Sequence, residues 1–208
     1  MKTSRRSAVD PFIVMDVMEA ARAAEDAGRH IIHMEVGQPG TGAPRAATDA
    51  LARAMNDGPL GYTVALGLPA LRARIAQMYG DWYNVDLDPS RVVVTSGSSG
   101  GFILAFTALF DTGDRVAIGA PGYPSYRQIL RALDLQAVDL PAAPENRYQP
   151  VPADFADMDI AGLMVASPAN PTGTMLDQRA MGALIDATHA KGASFISDEI
   201  YRGIEYEA

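Results

Sequence analysis

Cysteine is absent from the 208 residues. No disulfide can form, and no thiolate is available to attack a substrate or hold a metal. A chain without cysteine suits a reducing cytoplasm, the expected location. Positive charge is scarce as well. Lys and Arg total 17 against 25 Asp and Glu, a net charge of −8 and a pI near 4.8. An acidic chain without basic runs has no electrostatic footprint for nucleic acid or an anionic membrane. No window approaches the roughly 20 apolar residues of a membrane-spanning helix. The start, Met1-Lys2-Thr3-Ser4-Arg5-Arg6, is basic like a signal peptide, but Asp10, Asp16 and Glu19 interrupt the apolar stretch that would follow. His30 and His33 sit close together beside a glycine turn with no third ligand at helical spacing, so no metal is expected. What remains is the composition of a soluble globular protein: 48% apolar residues, mean hydropathy near zero, and ten Met that read as core filler at helix positions.

The order of elements follows from periodicity and punctuation. Asp10-Pro11 reads as an N-cap with Pro at the first helical position, opening a helix to Gly28 with Ile13, Val17, Met18, Ala21 and Ala24 on one face. Ile31 to Val36 is a short apolar stretch ending in the turn cluster Gly37-Gln38-Pro39-Gly40. Further helices are predicted from Pro44 to Met55 and from Pro69, the latter with Leu71, Ile75, Met78 and Trp82 inward. From residue 91 strands and helices alternate. Strands are predicted at 92–95, 115–118, 136–140, 162–166 and 193–197, with helices at 102–110, 126–133 and from an Asp177 cap to Lys191-Gly192. The strands are apolar throughout rather than on alternate positions. That predicts an α/β fold, three layers with a mostly parallel sheet covered on both faces. The stretch from Pro141 to Pro152 reads as a surface excursion.

In open α/β sheets ligands bind beyond the carboxyl ends of the strands. Four strand ends carry chemistry here. After Val94 comes Thr95-Ser96-Gly97-Ser98-Ser99-Gly100-Gly101, which opens a helix; free amides, hydroxyls and the helix dipole there form an anion site, or the stretch is only a small-residue turn. After Ile118 comes Gly119-Ala120-Pro121-Gly122-Tyr123-Pro124. After Val165 comes Ser167-Pro168-Ala169-Asn170-Pro171-Thr172-Gly173, where Pro171 holds Asn170 away from helical angles, in a site or in a plain cis-proline turn. After Ile196 comes Ser197-Asp198-Glu199-Ile200-Tyr201. A strand-end carboxylate at Asp198 must be paired or hydrogen-bonded, and Tyr201, one helical turn on, can face the same point. A helix N-cap with a core tyrosine is the plain alternative.

Taken together these residues resemble the class I/II aminotransferases, pyridoxal-phosphate enzymes of fold type I. Asn170-Pro171-Thr172-Gly173 followed after the next strand by Asp198-Glu199-Ile200-Tyr201 is the specific part. Gly61-Tyr62-Thr63, Gly67-Leu68-Pro69-Ala70-Leu71-Arg72, Ser96-Gly97-Ser98-Ser99 and Pro121-Gly122-Tyr123-Pro124 are similar to the family too, in the same order. The resemblance implies a transfer of an amino group between an amino acid and a 2-oxo acid. It implies that Asp198 keeps the pyridine nitrogen protonated, that Asn170 and Tyr201 meet the phenolic oxygen, that Tyr123 stacks on the ring, and that Gly97, Ser98 and Ser99 cradle the phosphate. It places Gly37 near the substrate carboxylate, and Tyr62 at the phosphate of a neighbouring subunit, hence a homodimer. Residues 1–40 would be an N-terminal helix and arm of the small domain, and 41–208 the N-terminal part of the cofactor-binding large domain.

The family's Schiff-base lysine has no counterpart. Lys2 lies in a basic tail and Lys191 at a helix C-terminus, so no catalytic residue is assigned, and the 208 residues alone are expected to be poorly folded and inactive. The predicted strand at Val92–Val94 would pair, in the family fold, with a strand later than residue 208. Other readings use the same residues. β-Lyases and cyclopropane-carboxylate synthases share the motifs. Gly97-Ser98-Ser99-Gly100-Gly101 also satisfies the G-x-S-x-G of a serine hydrolase, with His189 and Asp186 or Asp159 as partners, although His189 falls inside a predicted helix. An aminotransferase-like transcription regulator would need a DNA-binding segment, and the residues before Gly37 read as one helix only.

Overall fold

Four of the apolar segments pair side by side, and all run the same way. In the computed structural model, which describes residues 2–38 and 40–205, β1 (Arg115–Ala120), β2 (Gln136–Pro141), β3 (Gly162–Ala166) and β4 (Ser194–Asp198) form a sheet of order β2-β1-β3-β4. Every pairing is parallel, so the mostly parallel sheet expected is wholly parallel among the described residues. The register sets Ala120 opposite Pro141 and Ala166 opposite Asp198, which gathers the carboxyl ends along one edge. The chain runs outward from β1 to β2, then returns across β1 to β3 and β4. Its direction reverses between β1 and β3, the kind of position where parallel sheets open a crevice.

Both faces of the sheet are covered, which explains the unbroken apolar strands. On one face Val116, Ile118 and Met164 pack with Phe102, Phe106 and Phe110 from α4 (Gly97–Leu109) and its end, and with Tyr126 and Leu130 of α5 (Pro124–Ala132). On the other, Ala117, Leu163 and Val165 pack with Leu140, Phe155, Ile160 and Leu184 of α6 (Gln178–Ala190). Each of the Val, Leu, Ile, Phe and Met side chains among them contributes about 1.5–3 kcal/mol on burial. One position needs glycine for lack of space: a Cβ on Gly162 would lie 2.4 Å from Phe110 Cζ and 2.6 Å from its Cε1. Asp177 caps α6 as predicted, its Oδ1 accepting from the Ala180 amide at 2.7 Å.

This sheet with its helices, Ser96–Ala208 together with Met1–Pro11, is one compact unit; Phe12–Thr95 is another. The second contains α1 (Ile13–Asp26), α2 (Arg45–Asn56) and α3 (Pro69–Tyr83), the last opening on a proline as predicted.

Several expectations are corrected. Asp10 is not the N-cap of α1: the helix starts at Ile13 with Phe12 at the cap, and the Asp10 carboxylate pairs with Arg131 instead. Val92–Val94 is not a strand. Its polar groups are met without a neighbouring strand, the Val92 carbonyl by Arg72 Nε at 2.7 Å and the Val94 amide by Leu66 O at 3.0 Å. The Gly/Ser stretch is not a loop ahead of a helix starting at Phe102, because α4 begins at Gly97, whose φ of +73° suits a residue without Cβ. Tyr201 follows β4 in a turn, not one turn along a helix. The excursion after β2 is only partly superficial, since Gln149 and Pro150 are buried. No described helix is long and apolar enough to cross a membrane, and no group of His, Asp or Glu among the described residues could hold a metal ion.

Candidate functional site

The site is built from the carboxyl ends of β1, β3 and β4. Asp198 is the last residue of β4 and is buried. Its backbone carbonyl accepts from the Ser167 amide at 3.1 Å, which ties the end of β4 to the start of the loop after β3. Its carboxylate has two partners. Oδ1 accepts from the Ile200 amide at 3.0 Å, and Oδ2 from the Tyr126 hydroxyl at 2.5 Å. A buried carboxylate with a donor on each oxygen is kept in a fixed orientation. Tyr126 was not singled out by sequence reasoning. Burial first, then the bond to Asp198, holds its phenol well above the ordinary tyrosine range, so it stays a donor. The available signal was its place three residues after Tyr123, on the same face of a helix that starts at a proline.

Tyr126 also connects the other pieces. Its ring meets Phe102 edge-on at 5.2 Å between centroids, and Tyr123 at 5.4 Å. Phe102 lies just over a turn beyond Gly97, so the amino end of α4, Tyr123 and Asp198 belong to one neighbourhood. Ser98 and Ser99, in the first turn of α4, are exposed. Their amides belong to the set that a helix start leaves without helical partners. Tyr123 is half-buried and caps α5 after the Pro121-Gly122 turn. A Cβ on Gly122 would stand 2.5 Å from the Gly119 carbonyl oxygen, so only glycine permits that tight approach.

The loop after β3 answers the question its prolines raise. The Ser167-Pro168 and Asn170-Pro171 bonds are both cis, and Gly173 takes a φ of +68°. The chain closes on itself through Ala169 N to Thr174 O at 3.0 Å and Gly173 N to Ala169 O at 2.7 Å. This sets Asn170 beside Tyr201, with Nδ2 donating to the hydroxyl over a long 3.4 Å. Both line a cleft of about 610 Å³ with Arg147, Pro168, Met175 and Ile204. The structure thus brings together Asp198, Tyr201, Asn170, Tyr123 and the Gly97–Ser99 turn in one unit. Gly37 and Tyr62 belong to the other unit; both are exposed there.

The hydrolase geometry does not form. Ser99 lies in the first turn of α4 on one face of the sheet, whereas His189 lies in the last turn of α6 on the opposite face. Lys191 is spoken for at the amino-terminal edge of the sheet, its Nζ donating to the carbonyls of Ala156 at 2.6 Å and Met158 at 3.0 Å.

An all-parallel four-stranded sheet with helices on both faces matches part of the large domain of the aminotransferases. Residues 29–208 match the family model described as aminotransferase class I and II, and the chain belongs to that family, whose members use pyridoxal phosphate. It is 44% identical to the valine–pyruvate aminotransferase of Mycobacterium tuberculosis over 99% of its own length. A crystal structure of an aminotransferase from the same organism superposes with a TM-score of 0.95 at 43% identity, over 100% of this chain and 54% of that one. A protein from Silicibacter pomeroyi, provisionally described as an aminotransferase, is 76% identical with a TM-score of 0.90, again over 100% of this chain and 54% of the other. The chain spans about half the length of the curated relatives it matches, 54% for the mycobacterial enzyme.

Proposed function

We propose that these residues form part of the pyridoxal-phosphate site of an aminotransferase that moves an amino group between an amino acid and a 2-oxo acid. The observation that carries the reading is Asp198: a buried strand-end carboxylate, oriented from two sides by Tyr126 and Ile200, whose backbone carbonyl is tied to Ser167 at the start of the loop that bears Asn170. The donor set fits the cofactor. An anionic carboxylate suits a ring N–H, a helix start with two exposed hydroxyls suits a phosphate, and an amide beside a phenol suits a phenolic oxygen. When bound, the cofactor supplies an electron sink for the substrate α-carbon.

The chain's own part is positioning. Asp198 keeps the ring nitrogen protonated, and Tyr126 holds Asp198 to that task by donating to Oδ2. Asn170 and Tyr201 direct two polar hydrogens to one place. Tyr123 covers the ring face, and Ser98 and Ser99 bind phosphate oxygens with Gly97 allowing the close approach. Gly37 would stand at the substrate carboxylate and Tyr62 at the phosphate of a second subunit in a homodimer. The 44% relative, which acts on valine and pyruvate, points to an aliphatic amino acid and a small 2-oxo acid as the pair. β-Lyase or cyclopropane-carboxylate synthase chemistry would use the same cofactor contacts; the aminotransferase relatives favour transamination. The 208 residues hold no lysine at this edge, so turnover is assigned to the full natural polypeptide.

The test is Asp198→Ala in that polypeptide. Loss of a charge-assisted bond in a buried site should weaken pyridoxal-phosphate binding at least about tenfold and lower transamination by a larger factor. Unchanged affinity and rate would remove the reading.

A further inference from the structure

Gln149 is a buried polar side chain, 4% exposed, in a stretch whose neighbours Arg147 and Tyr148 are exposed. Those two neighbours are the reason it turns inward. Arg147 and Tyr148 both take left-handed backbone angles, φ 54° and 57°, an uncommon pair for residues with side chains. The turn is held by Tyr148 N to Ala143 O and Gln149 N to Asn146 O, each 3.0 Å. It delivers the Gln149 carboxamide underneath the loop after β3. There Nε2 donates to Ala166 O at 3.2 Å and to Thr174 O at 3.0 Å, with Thr174 Oγ1 at 3.3 Å. Two of the three partners are carbonyls, which can only accept, so the nitrogen and not the oxygen of the amide must face them.

Ala166 and Thr174 are the two ends of the segment that carries Asn170. The amide therefore spans the base of this loop, where Ala169 N and Thr174 O, Gly173 N and Ala169 O, and Leu176 N and Ser167 Oγ close it higher up. We infer that Gln149 is a positioning residue: its buried carboxamide clamps the base of the 167–174 loop and thereby fixes Asn170 at the cofactor's edge. The clamp rests on geometry alone; its consequence for the cofactor rests on the site proposed above. A leucine or methionine of similar volume would fill the space, but would take a donor from each of the Ala166 and Thr174 carbonyls and leave the loop base unjoined.

The test uses the full natural polypeptide with pyridoxal phosphate, comparing Gln149→Met, Asn170→Ala and the double variant. Gln149→Asn, which keeps an amide too short to reach both ends, serves if Gln149→Met does not accumulate. In Gln149→Met, hydrogen exchange of the amides of Ala169, Gly173 and Leu176 should quicken about tenfold. The pH midpoint of the bound cofactor's visible band should move upward, as in Asn170→Ala but less, since a donor to an oxyanion is weakened. In the Asn170→Ala background, Gln149→Met should leave the midpoint where it is while still quickening exchange; a merely structural role would give additive shifts. Unchanged exchange overturns the clamp. Faster exchange with an unmoved midpoint, where Asn170→Ala moves it, overturns the positioning role. Should Asn170→Ala itself leave the midpoint unmoved, the site reading fails, and exchange alone decides the clamp.

Discussion

The two units of this chain solve the burial problem differently. In the sheet unit, Phe106, Val116, Leu130, Leu140, Phe155 and Leu163 are fully buried, and the chemistry-bearing loops hang from strands packed on both faces. In the Phe12–Thr95 unit, Ala76 alone among the described residues is buried, while Leu51, Met55, Leu60, Val64 and Leu68 are each more than half exposed. Apolar residues are present in both. What differs is whether strands bring them together from distant positions. A helix satisfies its backbone internally, so it can form with little packed against it, but most helical stability in proteins comes from a buried face. The sheet unit is therefore a rigid frame suited to holding a cofactor within narrow tolerances, and the helical unit owes little of its stability to burial within itself.

The sharpest way to break this comparison is native-state hydrogen exchange on the 208-residue chain. Amides of β1 and β3 should exchange slower than those of α2 by on the order of a thousandfold, because local opening spans the range from near zero to the global unfolding energy. Equal protection would end the distinction. Absence of protection everywhere would overturn it as well, by showing that neither unit folds in this chain alone.

A smaller effect tests the density of the frame. Gly162→Ala puts a methyl inside the Phe110 ring contact, and the same methyl would lie 3.3 Å from Ser194 O. The ring must move against a packed layer, which costs about 1–3 kcal/mol. Denaturant titration would read this as a lower midpoint at constant slope. A loss below about 0.5 kcal/mol would mean that the packing there is looser than the distances say.

These elements also show which features a sequence makes legible. β1, β3, β4 and α6 were readable because local signals agreed: apolar runs of strand length, an Asp cap, and glycines at the breaks. The carboxyl-edge residues Asn170, Asp198 and Tyr201 were readable because strand ends name their own loops. Tyr126 and Gln149 were not. Each acts across a long separation, Tyr126 on Asp198 and Gln149 on Thr174, and no local pattern encodes a contact that only the sheet order creates. Val92–Val94 failed for the complementary reason. Its residues favour a strand, but a strand exists only with a partner, and its polar groups meet Arg72 and Leu66. Asp10 failed because the same carboxylate that suits a cap also suits a guanidinium, and Arg131 was nearer.

The smallest effect sharpens the comparison on its polar side. Buried polar groups in the sheet unit hold loops; in the helical unit the corresponding link is on the surface. His33 Nδ1 lies 2.6 Å from a Glu35 oxygen and Nε2 lies 2.9 Å from a Glu25 oxygen. Ionised carboxylates only accept, so both ring nitrogens must donate and the ring is an imidazolium. The bond to Glu35 foremost, then that to Glu25, raises its pKa from 6.5 to about 9, and Glu35 is lowered in return. Because the folded value lies above the unfolded one, the link contributes fully below about pH 6.5 and is lost as pH rises toward 9. The neighbouring Arg22 is already committed to Glu19 and Asp26 and does not compete. Since the ring is exposed to solvent and salt, its stabilising effect should be slight and should shrink further at high ionic strength. An NMR titration of the His33 ring protons in the full natural polypeptide should show a midpoint well above 6.5, dropping when Glu35 is replaced by Gln. A midpoint at the free-histidine value would mean that solvent, and not the two carboxylates, holds the ring, leaving the helical unit without even this tie between α1 and the segment leading to Gly37.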